Sequence, residues 1–217
     1  MRRRSNQSQT VIQRTETDEG TDPAAPCVLY IDDDNYDGTW GYFGSLPISS
    51  KTALFLRNID LGMEGETSDL AALDLRQVVF DKCCSGDVRA CDLLERFHRL
   101  ETLILSEGRM SDPVTLMVML PVSIQRVHLL QHTFYVEEHQ PDLPHHLPRL
   151  ETFTFTWLVP VADSEYRAFS QAASDSLPHL QRVIESNIVA PQCTYKYLRS
   201  TSSPGSLLAN ALADFNL

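Results

Sequence analysis

Three groups of side chains have the types and spacing that chemistry requires. Residues 33–38, Asp33-Asp34-Asn35-Tyr36-Asp37-Gly38, match the opening of a calcium-binding loop, with oxygen ligands at Asp33, Asn35 and Asp37 and a glycine at the sharp turn. The twelfth position of that loop needs a bidentate Glu and holds Gly44 instead, and the preceding residues read as a strand, so an acidic turn is the better account. Cys83, Cys84 and Cys91 gather within nine residues, but a structural zinc site needs a fourth ligand, commonly in two closely spaced pairs, and His98 does not supply that pattern. His139, His145 and His146 share a stretch with Pro141, Pro144 and Pro148, where a solvated loop is expected in place of a fixed ligand set. No nucleophile elbow, zinc-protease helix or phosphate-cradling glycine loop occurs. The expectation is a protein with no metal, no cofactor and no enzymatic activity; an α/β enzyme with an unrecognised active site is the alternative, and an incomplete fragment without function of its own is a third.

The whole-chain numbers narrow the partner. The 217 residues are 42% hydrophobic and 22% charged, enough for one domain with a sizeable core. A net charge of −11 repels phosphate backbones and anionic bilayers, so neither nucleic acid nor membrane is expected as a partner. Polar residues follow Met1-Arg2-Arg3-Arg4 where a secretory signal needs an apolar run, and the longest apolar stretch, Val114 to Val122, is too short to cross a bilayer. With five cysteines, an odd number, free thiols in a reducing cytoplasmic or nuclear compartment are the simplest expectation.

Residues 1–24 are almost devoid of apolar side chains and are expected to be a disordered polar tail. Residues 25–217 carry a recurring phrase: an apolar residue, two others, a second apolar residue, one other, and a third. It occurs at Leu56-x-x-Ile59-x-Leu61, Leu75-x-x-Val78-x-Phe80, Leu100-x-x-Leu103-x-Leu105, Ile124-x-x-Val127-x-Leu129 and Leu150-x-x-Phe153-x-Phe155, with a degraded copy at Leu180-x-x-Val183. The intervals, 19 to 30 residues, are those of a solenoid in which each unit gives one short strand. Alternation aims the second and third apolar residues of each copy at a shared interior. Val28-Leu29-Tyr30-Ile31 reads as the strand of an atypical first repeat.

The links are expected to be helical or looped. Asp87 caps Val88, Cys91, Leu94 and Phe97 at helical spacing; Asp112-Pro113 opens a helix with Val114, Met117 and Leu120; and Asp163 caps Tyr166, Phe169 and Ala173. Residues 137–148 are left as a Pro-rich loop, and Ser206 to Phe215 as a C-terminal capping helix.

The phrases "FHRLETLIL" (Phe97 to Leu105), "LPVSIQRVHL" (Leu120 to Leu129) and "LPRLETFTF" (Leu147 to Phe155) resemble the irregular leucine-rich repeats of fungal F-box-type proteins, over roughly residues 50–186. The resemblance implies an α/β fold: a short leucine-rich-repeat solenoid with parallel strands on the concave face and helices and loops on the convex side. It also implies a protein-interaction scaffold, with substrate recognition in an F-box-like ubiquitin ligase as the particular role. The chain departs from the family twice. The Asn or Cys at the ninth repeat position occurs only as Cys83, the other copies having Glu64, Gly108, His132, Leu158 and Ile188, and no F-box is found. The outward strand positions give the expected partner-binding residues: Val79, Thr102, Ile104, Arg126, His128, Leu130, Thr152, Thr154 and Arg182. A doubly wound sheet is the alternative topology.

Overall fold

The computed structural model describes residues 11–13, 28–32, 53–58, 75–83, 94, 96–107, 113–130, 144–158, 177–200 and 202–213. The β-branched and aromatic runs form strands, most of which join one sheet. The strands are β1 (Val11–Gln13), β2 (Val28–Asp32), β3 (Ala53–Arg57), β4 (Gln77–Asp81), β5 (Thr102–Ser106), β6 (Arg126–Leu130), β7 (His145–His146), β8 (Thr152–Leu158), β9 (Ile188–Val189) and β10 (Thr194–Ser200). The main sheet has the order β1-β2-β3-β4-β5-β6-β8-β10, and β7 pairs with β9 in a separate two-stranded ribbon. From β2 to β10 all neighbours of the main sheet are parallel, and only β1 runs antiparallel to β2. Strands are added in chain order with no reversal, which differs from the order of a doubly wound sheet. Val11–Gln13 lies inside the segment expected to be disordered, so that expectation does not extend to these residues.

The pairing sets side chains in rows. Leu54, Val78, Leu103, Val127, Phe153 and Tyr195 form one row, and Leu56, Phe80, Leu105, Leu129, Phe155 and Tyr197 the next. In both rows the residues from β3 to β8 are buried in a single core, closed from the other side by Leu94, Phe97, Leu116, Met117, Leu120, Leu180, Val183 and Ile184. Leu116 and Met117 belong to the expected helix, here Pro113–Met119, where Pro113 gives up only a donor that the first turn could not use. The motif register therefore holds for the four copies that start at Leu75, Leu100, Ile124 and Leu150.

Two copies are corrected. In the first, Leu56 pairs with Phe80 and so occupies the third apolar position instead of the first; Asn58 ends the strand, and Ile59 to Leu61 lie outside the described residues. The second is Leu180-x-x-Val183: residues 177–187 form a helix, and Leu180, Val183 and Ile184 are buried on its core side at i, i+3 and i+4. The strand this copy was meant to supply comes later, as β10.

Hydrogen bonds recur with the motif. A tight turn precedes four strands, closed by Leu100 N–H to Phe97 O, Ile124 N–H to Pro121 O, Leu150 N–H to Leu147 O and Cys193 N–H to Ala190 O (2.9–3.1 Å). Where the chain then enters the sheet, one carbonyl takes two donors from the next strand: Arg76 O from Glu101 and Thr102, Glu101 O from Gln125 and Arg126, and Gln125 O from Glu151 and Thr152. At the far end of the sheet, Asn58, Lys82 and Glu107 adopt φ of 56°, 54° and 51°. This left-handed turn is unfavourable for a side chain other than Gly or Asn. It lets their N–H groups donate to Asp81 O, Ser106 O and Leu130 O (2.8–3.2 Å), the last carbonyls of the neighbouring strands. Buried Cys83 Sγ lies 3.4 Å from Leu56 O and 3.6 Å from Asp81 O, so its one S–H is shared between a carbonyl of the preceding strand, β3, and one of β4.

Several expectations fall outside the described residues: the acidic turn at 33–38, Cys84, Cys91, His139 and the helix over 163–173. Within the Pro-rich stretch, His145 and His146 form β7 instead of loop, and His145 Nε2 sits 3.1 Å from Leu120 O.

Candidate interaction surface

The side chains that alternate with the core rows form the other face of the sheet. Their register gives one row of Gln77, Thr102, Arg126, Thr152 and Thr194, and a second of Phe55, Val79, Ile104, His128, Thr154 and Lys196. A third row contains Arg57, Asp81, Ser106 and Leu130. Eight of the nine residues singled out from the sequence thus share one face. Arg182 does not: it is exposed on the helix 177–187, whose Leu180 and Val183 enter the core, and its Nε donates to Pro178 O (3.2 Å). The reason is the helical phase of that segment, which replaces the expected strand.

The middle of this face is covered. Val79, Ile104, Leu130 and Ala53 form a second apolar cluster with Leu208 and Ala211, and Phe55, Leu207 and Leu212 pack at its edge. The covering element is the C-terminal helix Pro204–Leu212, which touches β5 and β6. The helix forms for local reasons. Ser203 caps it, its side chain accepting from Ser206 N–H (3.4 Å), and Pro204 presets the first turn. Leu207, Leu208, Ala211 and Leu212 then line one side at helical spacing. Its place across the sheet, and not at the end of the strand series, could not be read from those residues alone. Ile104 has no exposed surface, and His128 and Thr102 are buried as well. Arg126, Thr152 and Thr154 keep partial exposure.

Beyond β8 the face opens. Thr194, Lys196 and Leu198 are exposed on β10, Leu198 to 53%. These residues escaped the motif because Cys193-x-Tyr195-x-Tyr197 is one residue shorter than the other copies. The period-two alternation of Thr194–Ser200 was the available signal.

The same strand closes the core with aromatic rings. Tyr195 and Tyr197 stack at 6.1 Å between centroids, and each meets Phe153 at 5.9 Å. Burial pushes the Cys193 thiol up to about 11 and the Tyr195 phenol up to about 12, the latter helped by the neighbouring Cys193. Tyr197 is raised further, by burial first and by the charge of Glu185 second. These groups stay neutral near pH 7, and a protonated thiol is a poor nucleophile. Among the described residues, no cluster of three or more His, Cys, Asp or Glu side chains is placed to hold a metal ion. No helix among them is long and apolar enough to cross a membrane. Searches against protein-family models, curated proteins and solved structures return no match for this chain.

Proposed function

We propose that the chain is a short leucine-rich-repeat solenoid acting as a protein-interaction module, with the second face of the parallel sheet as its concave binding surface. Strand addition in chain order, recurrence of the same turn and carbonyl bonds at motif intervals, and the Cys83 thiol bonding back to the preceding strand support the repeat architecture. The observation that carries the functional reading is the apolar patch on that face, Val79, Ile104 and Leu130, already occupied by a helix. A surface that buries one helix has the anchors and shape that protein recognition uses. Substrate recognition within an F-box-like ubiquitin ligase is the particular role that the repeat resemblance implies.

The test is affinity purification from the native source with the wild-type chain and with Thr154→Arg and Leu198→Asp. Both positions belong to the part of the face that the C-terminal helix leaves open, so neither change disturbs the core. The same protein should be captured by wild type and lost with both variants. Undiminished capture by both rules out the open part of this face as a binding surface.

A further inference from the structure

The C-terminal helix is joined to β10 by a short Ser-rich connector, in which Ser202 and Ser203 are exposed. Among the helix side chains whose burial is described, Leu208 and Ala211 are the buried ones, against the sheet; Gly205, Ser206, Ala209 and Asn210 face solvent. The hydrogen bonds of Ser203 and Ser206 stay within the helix, and among the described residues none joins the helix to the sheet. Among the described residues the helix is thus held to the sheet by apolar contact, and a nine-residue helix has little stability once detached. The same face of the sheet also holds unpaired polar atoms. In the adjoining row, Asp81 Oδ1 and Ser106 Oγ are buried without a hydrogen-bond partner among the described residues, although Asp81 Oδ2 accepts from Arg57 Nε (2.6 Å). A buried acceptor left unpaired is costly, and a ligand that supplies its donor regains that cost.

We propose that the C-terminal helix is an internal stand-in for the partner, and that the patch formed by Val79, Ile104 and Leu130 receives in exchange an amphipathic helix from another protein. That helix would present two adjacent aliphatic residues and a small residue three positions after the second, as Leu207, Leu208 and Ala211 do here. It would also carry a donor, such as Lys, that reaches Asp81 and Ser106. The stand-in sets a threshold: the patch binds only in the fraction of molecules whose own helix has left it. This rests on the interaction reading above and adds to it the class of partner and its regulation.

The experiment uses the full chain and a fluorescein-labelled peptide with the sequence of residues 202–213. Leu208→Glu combined with Ala211→Glu releases the internal helix, which hydrogen exchange at 205–212 verifies. Fluorescence polarisation should then show the peptide binding roughly ten- to a hundredfold more tightly to the released variant than to wild type. Adding Ile104→Glu to the released variant, or placing Leu208→Glu in the peptide, should abolish binding. In a scan of Lys at the four solvent-facing helix positions of the peptide, at least one substitution should tighten binding. Equal affinity for wild type and the released variant overturns the exchange, as does no binding to a released variant whose sheet remains folded. A Lys scan with no gain overturns the donor requirement. These outcomes are independent of the capture experiment, which reads Thr154 and Leu198, so the exchange and the interaction surface can fail separately.

Discussion

Leu103 and Ile104 are neighbours in β5, both fully buried, yet each is covered by a different part of the chain. Leu103→Ala removes packing from the main core and should cost roughly 3–5 kcal/mol of unfolding free energy, the range for leucine truncations that leave a cavity. Ile104→Ala removes three carbons from the cluster beneath the C-terminal helix, or about 2.5 kcal/mol at roughly 0.8 kcal/mol per buried carbon. The two costs should respond differently when the helix is released by Leu208→Glu and Ala211→Glu. Ile104 then already faces water on one side, and its truncation should cost only about 1 kcal/mol, a coupling of roughly 1–2 kcal/mol with the helix. Leu103 belongs to the other cluster and should show coupling below about 0.5 kcal/mol. Urea unfolding of the four variants and their two backgrounds measures both numbers. An equal cost for Ile104→Ala in the two backgrounds would mean that the helix does not cover β5, and the account of this face would be wrong.

Alkaline pH should destabilise the protein through the last strand. Cys193 and Tyr195 ionise in the unfolded chain near 9.0 and 10.0 but only at about 11 and about 12 when folded. Raised folded values favour the neutral, folded form, so this stability is complete below pH 9 and declines as pH rises toward 11–12. Urea midpoints should fall between about pH 8 and about pH 10.5, and Tyr197→Phe, which deletes a buried hydroxyl without a partner among the described residues, should reduce that fall and raise stability at about pH 8 by up to about 1 kcal/mol. A midpoint unchanged up to about pH 10.5 would exclude the burial argued for these groups. Lys82→Pro removes the N–H that bonds Ser106 O and forbids a φ of 54°, so thermal or urea unfolding should show a loss of about 3 kcal/mol or more. Lys82→Gly, which suits that backbone conformation, should stay within about 1 kcal/mol of wild type by the same assay. Cys83→Ala deletes the bond to Leu56 O together with a buried sulfur and should cost about 1–2 kcal/mol in urea unfolding.

The sequence alone determined those features that depend on spacing within one segment. In a strand, alternate side chains point to opposite faces. Leu103 and Leu105 therefore had to share a side, with Thr102 and Ile104 on the other, and the same holds for the copies that begin at Leu75, Ile124 and Leu150. Pro113 after Asp112 fixed a helix start for an equally local reason.

Spacing failed where two periods competed. Leu180, Val183 and Ile184 fit a helical face as well as part of a strand phrase, and packing against the core selected the helix. Around Leu56 the apolar residues are dense enough to permit two registers, and the pairing of Leu56 with Phe80 chose between them. At β10 a missing residue between Cys193 and Tyr195 hid the copy, and only the parallel pairing with β8 reveals it. The fate of the second face was decided wholly by tertiary structure. Val79, Ile104 and Leu130 carry the same alternation whether they meet water, a partner or their own chain. What covers them is a helix more than 70 residues further along the chain than any of the three, and no local pattern encodes a contact over that separation.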